Sequence, residues 1–268
     1  MENKIRYIIL VIIICIFTFS TIRLNSNLNG DTIDTSSQEL SDEKRCWGIK
    51  RATDHEQPDL GSSNLKLLQE YDGIAIGNSE NKFIYLTFDE GYEAGYTAKI
   101  LDILKENNVK ATFFITAHYL NTASELVQRM IAEGHIVGNH TTTHPSMPSL
   151  TDEEIEKEIM RLHQVVYEKF NYEMIYIRPP KGEFNERTLK KSRELGYKTV
   201  MWSFAYYDWD EKKQPSIDEA EKKIIDNFHS GEIMLLHPNS KTNSEILNLI
   251  IKNAIEQGYE FKTLDKFQ

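Results

Sequence analysis

Disulfides can contribute nothing to this fold, because the 268-residue chain has only two cysteines. Cys15 lies inside an apolar amino-terminal run and Cys46 outside it, so the two cannot bridge within one chain. Cys46 reads as a semi-buried structural thiol, since no second cysteine stands near it to suggest redox or metal work. Positive charge is also short. With 31 basic against 41 acidic residues the formal charge is −10, which gives binding to a polyanion little electrostatic support and excludes a nucleic-acid partner. A neutral substrate fits better. There is no internal repeat, no low-complexity tract beyond one polar spacer and no sign of a second globular unit, so the length implies one large domain with an ample core.

The one long hydrophobic run is at the start. Lys4 and Arg6 precede an uncharged stretch from Tyr7 to Ile22 that is wholly apolar from Ile8 to Phe17. Residues 1–24 read as a membrane anchor with the remainder exported, by the positive flank; a cleaved signal peptide is the competing reading, although no small-x-small site follows cleanly. Residues 25–46 read as a polar spacer. The catalytic domain is expected over 47–268, with its motif-bearing core over 83–264.

From Phe83 onward short apolar runs alternate with helical patterns. Strands are expected at Phe83–Phe88, Ala111–Ile115, His135–Gly138, Met174–Ile177, Thr199–Trp202, Glu232–Leu236 and Glu260–Thr263. Between or after them lie helices at Tyr96–Asn107, Ser124–Glu133, from Thr151 onward with a capping-box signature, Glu186–Leu195, Ser216–Phe228 and Ser244–Gln257. The alternation defines an α/β fold built on a parallel sheet, open or closed as a barrel.

Several of these strands end in the same kind of polar punctuation. Phe83–Phe88 stops at Asp89 and Glu90, followed by Gly91; the carboxyl end of a strand in such sheets is where chemistry is done. His135–Gly138 runs into Asn139, His140 and His144, two imidazoles four apart that share a face if the turn is helical and so could hold one metal ion. Arg178-Pro179-Pro180-Lys181-Gly182 makes a rigid loop with a guanidinium able to fork onto a carboxylate. Trp202 to Trp209 supplies aromatic surface and Asp208, and Leu236-His237-Pro238 delivers a third histidine. Each motif alone is equally consistent with a solvated turn or a structural histidine; their convergence on one sheet edge is the functional signal.

In this order the residues resemble the polysaccharide deacetylase family, carbohydrate esterase family four, in all five of its motifs: Thr87-Phe-Asp-Glu-Gly91, His140 to His144, Arg178 to Gly182, Asp208-Trp209 and Leu236-His237. Trp47-Gly48 and the neighbourhoods of the motifs are similar to its spore-cortex branch, the muramic acid N-deacetylases of δ-lactam synthesis. The resemblance implies a distorted (β/α)7 barrel and hydrolysis of an N-acetyl group on an amino sugar. By position it implies Asp89 as general base, Arg178 as the arginine orienting it and His237 as the acid that protonates the departing amine. Tyr92, Pro180, Lys181, Trp202, Asp208 and Leu236 are expected to meet substrate, with a backbone N–H near Tyr92 at the oxyanion. His140, His144 and Glu90 are expected to hold a divalent metal, zinc by its nitrogen and oxygen ligands.

The implied partners are peptidoglycan glycan strands, an amidase that strips their stem peptides, and the membrane. The implied place is outside the cytoplasm, at the forespore cortex. A deacetylase of N-acetylglucosamine or chitin-like oligomers, or an inactive wall-binding module on the same scaffold, are the alternatives. Two positions depart from the family pattern. Glu90 stands for its second aspartate, and Ala205 for an acid three residues before Asp208, which leaves His237 without an evident partner in the sequence.

Overall fold

A computed structural model describes residues 40–268. The expected anchor over 1–24 and most of the spacer lie outside those residues; among the described residues no helix is long and apolar enough to cross a membrane.

Seven parallel strands form one curled sheet. β2 (Phe83–Glu90) pairs on one side with β8 (Glu232–Leu236) and on the other with β3 (Thr112–Ile115), and the order continues through β4 (Ile136–Asn139) and β5 (Tyr176–Ile177) to β7 (Lys198–Thr199). β9 (Glu260–Phe261) adds to the start of β2. The two ends of the sheet meet only through isolated bridges, Ile74 to Val200, Ile76 to Glu232 and Phe204 to Met234. Thr199–Trp202, expected as a full strand, thus pairs regularly only through Thr199, because the chain beyond it spends its backbone groups on crossing the gap. A separate two-stranded antiparallel ribbon joins β1 (Arg45–Cys46) to β6 (Glu183–Phe184).

Alternation along the strands decides what faces the site. In β2, Ile84, Leu86 and Phe88 join the large core beneath the helices, with Phe113 and Ile115 of β3 and Met234 and Leu236 of β8. Tyr85 faces the interior of the curl with Phe114 and Ile233. Because neighbouring strand residues point to opposite faces, Asp89 falls on the inner side and Glu90 on the helix side.

The helices follow the sequence closely. Asp152–Phe170 opens with the capping box of Thr151 and Glu154, and Thr97–Glu106 buries Ile100, Leu101, Ile103 and Leu104. Lys241–Glu256 starts three residues before the expected Ser244, because the Ser240 hydroxyl accepts from the Asn243 N–H as its cap. The stretch over 47–81, expected to be irregular, contains the helix Ser62–Glu70, of which only Leu68 is fully buried. So weak an apolar stripe carries little sequence signal.

Order also begins before Trp47. The Ser41 N–H donates to the Glu186 carboxylate, and Arg187 pairs with Asp42 at 2.6 Å. Residues 41–46 therefore belong to the folded domain and not to a spacer. Cys46 is exposed rather than semi-buried.

Candidate active site

The carboxyl ends of β2, β4, β5 and β8 surround a cleft of about 820 Å³ lined by Asp89, Tyr92, His140, His144, Lys181, Trp202, Trp209 and His237, among others. Its lining includes the apolar side chains of Trp202, Tyr206, Trp209 and Leu235 and the polar ones of His118, Thr142, Thr143 and Lys181.

Asp89 ends its strand against Arg178, which follows β5. One guanidinium nitrogen donates to Asp89 Oδ1 at 2.8 Å, while Nε and the other terminal nitrogen donate to the carbonyls of Val200 and Met201. Arg178 is fully buried and lies 4.3 Å over the Phe114 ring. Gly138 makes room for that ring, since a Cβ at this position would come within 2.5 Å of it. Burial opposes the charge on Asp89, but the guanidinium, helped by His237, holds its carboxyl below the usual carboxylate range. A base that stays ionised at neutral pH and cannot rotate away is the result.

His237, at the end of the strand next to that of Asp89, has a partner the sequence did not disclose. Its Nδ1–H donates to Asp208 Oδ1 at 2.7 Å, and its backbone N–H donates to Asp208 Oδ2 at 2.9 Å. The Asn243 amide donates to the same Oδ2 at 2.7 Å and also to the His237 carbonyl, while the Tyr206 hydroxyl donates to Asn243 Oδ1. Asp208 is fully buried and does not reach the cleft, so it is no substrate contact. It supplies the partner that Ala205 does not. Burial lowers the His237 pKa, but the Asp208 charge and hydrogen bond outweigh it and the imidazole ends above its ordinary value. With Nδ1 committed to Asp208, Nε2 is the nitrogen left for a proton transfer.

His140 and His144 are brought together, though not by a helical turn. Thr141 and His144 have left-handed backbones, φ 69° and 59°, and the loop is tied down by the Asn139 side chain, which accepts from the Thr141 N–H, and by Thr142 and Thr143 on Glu158. The two Nε2 atoms are 3.2 Å apart, and His140 Nε2 is 3.5 Å from Asp89 Oδ2. His140 donates its Nδ1–H to the Arg178 carbonyl at 2.8 Å, which leaves Nε2 with its lone pair in the cleft. Desolvation pushes both imidazoles down, His144 to about 4, so both are neutral at pH 7.

Two neutral imidazoles at this separation suit one cation, because ligands ~2.0–2.1 Å from a tetrahedral ion lie roughly 3.4 Å apart. The expected third ligand fails. Glu90, on the helix side of β2, sits beside the Thr97 hydroxyl with Oε2 unpartnered, and burial with Glu93 nearby raises its pKa well above the ordinary carboxyl value. Among the described residues no three His, Cys, Asp or Glu side chains are grouped to hold an ion. The pair fits a metal; the three-ligand set does not.

Four other expected contacts separate in the same way. Lys181 (φ 60°) and Trp202 line the cleft. Pro180 is buried behind the loop and does not line it, nor does Leu236, whose place is taken by Leu235 because the strand alternation turns Leu236 into the helix-side core. Gly182 is required where it stands, as a Cβ there would approach the Trp202 ring to 2.7 Å. Sequence reasoning missed Asn239 and Asn243. Asn239, two residues after His237, was within reach of a motif-based reading; Asn243, 35 residues from Asp208, had no local signal.

A carboxylate fixed by a buried arginine and an imidazole whose pKa a buried carboxylate raises both line one cleft. The chain belongs to the polysaccharide deacetylase family, whose model matches residues 76–200. The family's deacetylases generally depend on a metal. The chain is 42% identical over 220 residues to the peptidoglycan-N-acetylmuramic acid deacetylase PdaA of Bacillus subtilis, covering 82% of this chain and 84% of that one. It is 33% identical over 194 residues to a peptidoglycan-N-acetylglucosamine deacetylase of Bacillus cereus, with 71% and 90% covered. The solved structure of Bacillus subtilis PdaA, a family 4 carbohydrate esterase, superposes with a TM-score of 0.83 at 41% identity, over 85% of this chain and 98% of that one.

Proposed function

We propose that this protein removes the N-acetyl group from N-acetylmuramic acid in peptidoglycan, on glycan from which an amidase has already taken the stem peptide. The observation that carries the chemistry is that Asp89 and His237, at the ends of neighbouring strands, line one cleft. Amide hydrolysis needs a base to deprotonate the attacking water and an acid to protonate a nitrogen that otherwise leaves poorly. Asp89, ionised beside Arg178, takes the water proton. The tetrahedral intermediate then collapses as His237 Nε2 gives its proton to the amine, and Asp208 carries the imidazolium charge before the transfer. A divalent metal, zinc by the ligand type, would sit on His140 and His144 and polarise the amide carbonyl.

The choice of muramic acid is supported by the identity to a relative named for that activity and by Lys181 in the lining of the cleft, where an ammonium can meet the lactyl carboxylate exposed once the peptide is gone. The freed amine would then close on that carboxyl as the δ-lactam of spore cortex. Residues 1–24 would hold the domain at the outer face of a membrane. Purified domain should release acetate from peptide-stripped glycan and little from intact peptidoglycan, with mass spectrometry locating the loss on muramic acid. Equal rates on both glycans, or loss from glucosamine instead, would refute the assignment.

A further inference from the structure

Nine large hydrophobic side chains are exposed among the described residues, and six of them, Val165, Tyr167, Ile175, Ile217, Leu249 and Ile255, lie on helices or just before a strand, away from the cleft. The other three, Tyr92, Trp209 and Tyr207, are aromatic and gather at its mouth. Tyr92 and Trp209 line the cleft itself; Tyr207 does not. The Trp209 ring lies 5.8 Å from His237 on one side and 4.2 Å from Tyr207 on the other, centroid to centroid, so the aromatic surface runs outward from the acid in unbroken contact.

Hydrogen bonds fix the two tyrosine rings and the backbone of Trp209. A single Asn239 amide nitrogen donates to the Tyr92 hydroxyl and to the Trp209 carbonyl, both at 2.8 Å, which ties two different loops together. The Tyr207 hydroxyl donates to Asp210 Oδ2 at 3.0 Å. Tyr207 and Trp209 remain 46% and 48% exposed. Aromatic rings kept rigid and exposed next to a catalytic cleft are surfaces for an apolar face, and the C–H face of a pyranose is the one a glycan offers.

We infer that Tyr207, continuing the Trp209 wall beyond the cleft, is a binding platform for a further sugar of the same glycan strand, next to the residue being deacetylated. This rests on the proposed glycan substrate and adds a length requirement to it: a strand long enough to reach Tyr207 gains a contact that a short oligosaccharide lacks.

The test compares kcat/KM on peptide-stripped glycan of two lengths, a disaccharide and strands of eight or more sugars, for the wild type, Tyr207→Ala and Tyr207→Phe. Loss of one stacking contact should lower the long-to-short ratio about three- to tenfold in Tyr207→Ala, through KM. Tyr207→Phe keeps the ring and should keep the ratio. An unchanged ratio in Tyr207→Ala overturns the platform, as does an equal fall in Tyr207→Phe, which would assign the effect to the Asp210 hydrogen bond and loop geometry. Wild-type inactivity on both lengths would instead overturn the glycan reading itself, which keeps the two failures apart.

Discussion

Replacing Asp208 by Asn keeps the shape of the buried side chain but removes one acceptor. Oδ2 receives two hydrogen bonds, from the His237 N–H at 2.9 Å and the Asn243 amide at 2.7 Å, whereas Oδ1 receives one, from His237 Nδ1. An Asn amide therefore places its oxygen at the two-donor position and turns its NH2 to His237. Two donors cannot face each other at 2.7 Å. The imidazole must give up its Nδ1 proton and carry the remaining one on Nε2 as a neutral ring, a far weaker acid than imidazolium. Removing a positioned general acid costs ~10²–10⁴-fold, so kcat/KM for the N-acetyl substrate should fall by that range. The alkaline limb of the pH profile, which loss of the His237 proton should set and which Asp208 displaces upward, should move to lower pH. An O-acetyl sugar isolates the cause, because an alkoxide needs less help to leave than an amine, and its loss should be much smaller. Equal losses on amide and ester, or near-wild-type amide turnover, would refute the role assigned to His237.

Arg178→Gln removes the charge that holds Asp89 below its ordinary pKa, so the acid limb of kcat/KM should move to higher pH, with activity at pH 6 reduced at least ~10²-fold; an unmoved limb would separate Asp89 from Arg178. Zinc titrated into stripped protein should bind through the imidazole pair, with His144→Ala weakening binding at least ~10-fold by loss of one of two ligands. Glu90→Gln should leave that affinity unchanged, and a large loss there would return Glu90 to the ligand set. Glu232 is fully buried with Oε1 unpartnered, and burial raises its folded pKa well above 4.5. Its neutral form is compatible with the fold, so stability is present below pH 4.5 and is lost as pH rises towards the folded pKa. Thermal melts of Glu232→Gln should exceed the wild type at pH 8 and converge with it at pH 4, and the opposite order would show a charged Glu232.

The strands and helices that carry a strong period were legible, and so were the ends where Asp89, Arg178, His140, His144 and His237 meet. Direction within the sheet was not. Asp89 and Glu90 look alike as adjacent acids, yet pleating sends one to the cleft and the other among Thr97 and Glu93; Leu235 and Leu236 divide in the same way. A motif names both members of such a pair and cannot say which one turns inward until the register is known. The role of Asp208 escaped for a different reason: its partners His237 and Asn243 are 29 and 35 residues away, and only the curl of the sheet brings them to it.

The burial of Arg178 has a spectroscopic consequence. Guanidinium protons on a protein surface exchange with water too fast to follow at neutral pH, but Arg178 has no exposed surface, and its Nε and both Nη atoms each donate to a protein oxygen. Its Nε–H should therefore give a resolved, slowly exchanging signal displaced by the Phe114 ring current, since the guanidinium lies 4.3 Å over that ring. The protonation of Asp89, among the described residues the only side chain to which this guanidinium donates, could then be followed by NMR in solution on the unmodified enzyme, with or without substrate present.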